Sequence, residues 1–251
     1  MNRRKLTALV VIVFLFLYSI LKFYYEKVIT GEHQLLRHGA TAEIKYSMRD
    51  ALGQGLLLTA LSGFRGVAAN LIWLEVTEAW MERNWIKLKK NVEIAVLLQP
   101  RNEFYWEQGA WHLAFNASLN SSTDLGNIHT NFREKQEESL QWINQGINLL
   151  ERGIAFNPDS SQLHERLADL YYRRLKDYHR AAKYYEMASQ LPGAKQYVLR
   201  LPGYMYEKAG DEQAEHEYWE KVLSRISENE LASPQWQRPR QRILELEEKM
   251  D

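Results

Sequence analysis

The chain has 251 residues, 32 basic and 32 acidic, so its formal charge at neutral pH is zero. Nucleic acid is therefore not an expected partner, since its phosphates call for a basic face and the short basic step Lys87-Leu88-Lys89-Lys90 reads as a solvated helix surface. The absence of cysteine excludes disulfides, thiolate metal sites and thiol nucleophiles, while eight tryptophans and fourteen tyrosines against six prolines suggest helices carrying large aromatic side chains.

In chain order, the first element is the uncharged run from Leu6 to Leu21, which follows directly on Arg3-Arg4-Lys5. Extended through Lys22 to the cluster Phe23-Tyr24-Tyr25, the element covers positions 6–25. At ~1.5 Å per residue it spans ~30 Å, one hydrocarbon core. Lys22 can snorkel and the tyrosines can sit at the headgroup level. No small-x-small site follows the run, so it reads as a retained anchor rather than a cleaved signal. The basic residues precede it, which places residues 1–5 in the cytoplasm and everything after the span outside. The expected location is a single-pass protein of the inner, cytoplasmic membrane of a bacterium, with its main domain in the periplasm.

Residues 26–68 form a juxtamembrane helical segment. Within and beyond it, positions 51–74 hold a single charge, Arg65, and the small residues Gly55, Thr59 and Gly63 four apart, a spacing that permits close helix packing. A second membrane segment is one reading. The favoured one is a tightly packed helix pair broken at Ser62-Gly63-Phe64-Arg65-Gly66, because an arginine at mid-depth would cost on the order of 3 kcal/mol.

From residue 69 the same phrase recurs with drift: Asn84-Trp85 leading to Ala95, Leu98 and Pro100; Trp142 to Gly153, Phe156 and Pro158; Asp177-Tyr178 to Ala181, Ala188, Leu191 and Pro192. Ala181 and Ala188, like Gly146 and Gly153, are two helical turns apart, so each pair shares a face where a neighbouring helix can come close. A proline after the last apolar residue ends each helix.

The segment Ser161 to Pro192 resembles the tetratricopeptide repeat family, whose units are ~34-residue pairs of antiparallel helices. Leu167-Ala168 and Tyr171 match its first helix, Asp177-Tyr178 its turn, and Ala181, Tyr185 and Ala188 its second helix, with one extra residue around Leu175-Lys176. Weaker copies run from about 69 to 100, with Glu75 where the family has an apolar residue; from 103 to 158, split by an insertion at 117–137; and from 196 to 226, with Pro202 inside its first helix. Residues 227–251 read as a C-terminal capping helix in which Ile243, Leu244 and Leu246 cover the last repeat. The expected fold is all-α: an N-terminal transmembrane helix followed by a solenoid of helical hairpins resembling tetratricopeptide repeats.

No catalytic residues, cofactor or metal are implied. The seven histidines, at 33, 38, 112, 129, 164, 179 and 216, show no two-ligand helical spacing. There is also no Gly-rich phosphate loop and no GxSxG elbow. In the family that the repeats resemble, first helices line the inner face. The resemblance therefore assigns a partner-binding groove to Trp73 and Thr77; Phe104, Glu107 and Trp111; Gln162, Glu165, Asp169 and Tyr172; and Tyr197, Arg200 and Tyr204. Aromatics offer large contact area with few rotors to freeze. The expected function is that of a membrane-anchored adaptor or scaffold for other membrane or envelope proteins. The alternative is a receptor subunit that binds a peptide or glycan in that aromatic groove and is associated with a transporter.

Overall fold

The computed structural model describes residues 63–119 and 132–250. The expected anchor at 6–25 and most of the juxtamembrane segment lie outside them. Among the described residues all regular structure is helical, and no helix is long and apolar enough to cross a membrane. The chain divides into two compact units, Met1–Tyr105 and Trp106–Asp251.

In the first unit, α1 (Arg65–Met81) and α2 (Trp85–Leu98) pack together as a hairpin. A left-handed Gly63, φ 85°, precedes α1, and positions 51–62 lie outside the described residues. Ala69, Ile72, Val76 and Ala79 of α1 are buried, as are Leu88, Val92, Ala95 and Val96 of α2. α3 (Glu103–Trp111) begins after Asn102, and the division between the units falls within it.

In the second unit, α3 continues into a π-helical stretch, His112–Ala117, and α4 (Phe132–Phe156) packs against that stretch. The small residues make this approach possible: a Cβ on Gly146 would lie 2.8 Å from the Ala114 Cβ, and one on Gly153 would lie 2.9 Å from the Trp106 ring. Position 114 thus opposes 146 while 106 opposes 153, so the two helices run antiparallel. The inserted segment expected at 117–137 is helical at both of its ends, through Leu119 and from Phe132, and residues 120–131 lie outside the described part.

α5 (Ser161–Leu170) ends in a π-helical turn, Tyr171–Leu175, and pairs with α6 (Tyr178–Gln190). A 3-10 turn, Gln196–Arg200, leads into α7 (Leu201–Ala209), which pairs with α8 (Glu212–Leu223). A short α9 (Glu228–Leu231) and a 3-10 turn, Pro234–Trp236, precede α10 (Gln237–Met250), which packs on α8. Leu246 is fully buried and Ile243 joins the cluster of Tyr218, Trp219, Val222 and Trp236, whereas Leu244, expected beside them, faces solvent.

Three of the hairpin turns are built alike. A residue of left-handed backbone, Arg83, Lys176 or Gly210, is followed by an Asn or Asp that caps the second helix. The Oδ1 of Asn84, Asp177 and Asp211 accepts the N–H of Lys87, Arg180 and Ala214, each at 3.0 Å. The capping residue's own N–H is donated to the carbonyl of Ala79, Tyr171 or Tyr206. That reach is five residues back at 84 and 211 but six at 177. The extra residue near Leu175-Lys176 is absorbed by widening the last turn of α5 into a π-turn, which leaves the cap intact. This recurrence of one turn chemistry is compatible with a helical-repeat architecture.

Candidate functional site

The residues expected to line a groove fall into both units. In the first, Trp73 is half-buried and meets Phe104 edge-on at 5.3 Å, with Phe104 exposed and the Tyr105 hydroxyl donating to Asn70 Oδ1 at 2.7 Å. Thr77 is exposed and its hydroxyl bonds back to the Trp73 carbonyl at 3.1 Å.

In the second unit a polar network gathers several of the others. Gln162, Glu165, Arg166, Asp169 and Arg173 recur at helical spacing along α5 and its π-turn, which puts them on one side of the helix. Arg166 is the hub: its Nε donates to Glu107 Oε1 at 2.6 Å, and its Nη1 lies 3.1 Å from Asp169 Oδ2 and 3.5 Å from Glu165 Oε1. Gln162 donates to the other Glu107 oxygen. Asp169 Oδ1 accepts the Tyr185 hydroxyl at 2.8 Å and lies 3.4 Å from Arg173 Nε. Glu165, only 7% exposed, accepts the Tyr197 hydroxyl at 2.5 Å. α3, α5, α6 and the 3-10 turn are thereby tied through three carboxylates, two guanidinium groups and two phenols.

The protonation pattern follows from these contacts. Burial alone would favour the neutral Arg166, but the hydrogen bond to Glu107 and the charge around it outweigh that and hold the guanidinium above its ordinary range. Burial, with Asp169 beside it, pushes the Tyr185 phenol up. Burial and the bond to Glu165 push Tyr197 up to about 12. Both phenols keep their protons at neutral pH and act as donors.

Of the remaining expected residues, Trp111 is 44% exposed and stacks on Phe115 at 4.1 Å, with the Arg174 guanidinium over Phe115. Tyr172 is half-buried and sits beside Tyr178, with the Lys176 and Lys208 ammonium groups each 5.8 Å from its ring. Arg200 and Tyr204 turn toward the C-terminal segment: Arg200 lies over the Trp236 ring and donates to Gln235, and Arg238 covers Tyr204. Arg166, Arg173 and Tyr185, which join the polar network, were not among the residues expected from the sequence. The Asp169–Arg173 spacing of one helical turn signals an ion pair, but nothing in the sequence links Arg166 to Glu107, 59 positions away. Among the described residues no group of histidines and carboxylates is arranged to hold a metal ion.

No protein-family model matches the chain, and no curated protein matches it.

Proposed function

We propose that the protein is a membrane-anchored adaptor of the tetratricopeptide type. In this reading residues 6–25 hold it in the cytoplasmic membrane of a bacterium and its helical hairpins, outside, dock other envelope proteins. The supporting observation is the network around Arg166, which ties Glu107, Glu165 and Asp169 together, on the same unit as the exposed aromatics Trp111 and Tyr197. A surface fixed in this way loses little side-chain freedom on binding, and exposed aromatics are the usual anchors. The test is purification of the full chain in mild detergent with identification of a stoichiometric partner, repeated with Trp111→Ala. Loss of the partner from the variant, with its helical content unchanged, is the expected result. No partner for either chain would sink the adaptor reading.

One observation favours a receptor reading with its ligand outside the expected groove. A cavity of about 350 Å³ in the second unit is lined by Tyr218, Lys221, Val222, Arg225, Glu230 and Trp236, and the buried Trp236 indole N–H has no acceptor. A soluble peptide or oligosaccharide that raises the melting temperature of the full chain would support a ligand there.

A further inference from the structure

α1 is apolar on two opposite faces. One face, Ala69, Ile72, Val76 and Ala79, is buried in the hairpin with α2. On the other, Val67, Leu71, Leu74 and Met81 are 57%, 60%, 66% and 69% exposed. At 100° per residue these four fall within a sector of roughly 80°, and the stripe runs ~21 Å along the helix. The only charge inside it, Glu78, is neutralised by Lys87 Nζ at 2.7 Å. A contiguous exposed row of large apolar side chains marks an interaction surface, so the four on this face call for an occupant. The chain itself names one: 44 positions before Arg65 ends the uncharged run Leu6 to Leu21, which follows three basic residues. If that run is in a bilayer, α1 is tethered at high effective concentration beside a lipid surface.

We propose that the Val67–Leu71–Leu74–Met81 face of α1 lies in the interfacial layer of the membrane. Its apolar side chains enter the headgroup boundary, and the Glu78–Lys87 pair stays at headgroup level. α1 then acts as a second, in-plane contact that orients the hairpin on the bilayer. This inference rests on the anchor reading of residues 6–25.

The absence of native cysteine makes the test direct. Single cysteines Leu71→Cys, Leu74→Cys and Met81→Cys, with Gln213→Cys as a control in the second unit, are labelled with a polarity-sensitive fluorophore in the full chain. The protein is reconstituted into vesicles of phosphatidylethanolamine and phosphatidylglycerol containing lipid with a shallow spin-label quencher. The three α1 labels should lose about half their emission, since an interfacial helix buries its apolar face by ~5–10 Å, while the control keeps its own. Leu71→Glu with Leu74→Glu, checked for unchanged helical content, should restore the emission of the Met81 label. Unquenched α1 labels on a chain that resists an alkaline carbonate wash would overturn the inference, whether another copy or another segment covers the face. A chain washed off the vesicles would instead overturn the anchor reading beneath it.

Discussion

The Tyr197 hydroxyl donates to Glu165 Oε1 at 2.5 Å, joining α5 to the turn that opens the next hairpin. Glu165 is almost wholly buried while Tyr197 is 39% exposed, so the exposed partner supplies the donor that the buried carboxylate needs. Tyr197→Phe should lower stability by about 1–2 kcal/mol, read by urea denaturation at pH 7, because a buried acceptor loses its donor. An unchanged midpoint would mean that water replaces the hydroxyl.

The same pair sets an alkaline limit. The Tyr197 pKa is raised from 10.0 to about 12 in the folded chain, so its contribution is fully present below pH 10 and is lost as pH rises toward 12. Melting temperatures between pH 9 and 12 should fall less steeply for Tyr197→Phe than for the wild type. Parallel curves would show that this phenol does not contribute.

Gly203 lies flat against Trp219: an added Cβ would sit 2.2 Å from the ring carbon Cζ2, deep inside van der Waals contact. Gly203→Ala should therefore destabilise by about 1–3 kcal/mol as overpacking, visible as a lower melting temperature with a red-shifted tryptophan emission. A neutral effect would require Trp219, which is 1% exposed, to find another rotamer.

Ala188 is fully buried and its carbonyl accepts the Ser161 hydroxyl at 2.9 Å, so α6 and the start of α5 are in close contact there. Ala188→Trp should cost roughly 1–3 kcal/mol or more by forcing them apart. An unmoved melting point would contradict the packing of this hairpin.

Glu215, 1% exposed, receives Arg242 Nε and Nη2 at 2.9 Å each, which fastens α10 to α8. Removing the guanidinium leaves a buried carboxylate without its charge partner, so Arg242→Ala should cost about 3–5 kcal/mol. Loss of only a few tenths in denaturation would show that α10 is dispensable to the second unit.

Helical class was legible in the sequence because it depends on short-range order: apolar and small residues spaced by whole helical turns, and prolines at helix ends. The surplus residue at 175–176 was also visible, but its accommodation as a π-turn was not, since that depends on what α6 demands of the turn. The polar network could not be read because its pairs lie far apart along the chain: Glu107 with Arg166, Glu165 with Tyr197. The surroundings of Arg200 and Tyr204 were hidden for the same reason. Local spacing put them on a first-helix face, and only packing brought Trp236 and Arg238 over them. Periodicity determines which face of a helix is apolar; which element covers that face is decided by tertiary packing, where distant segments compete for the same surface.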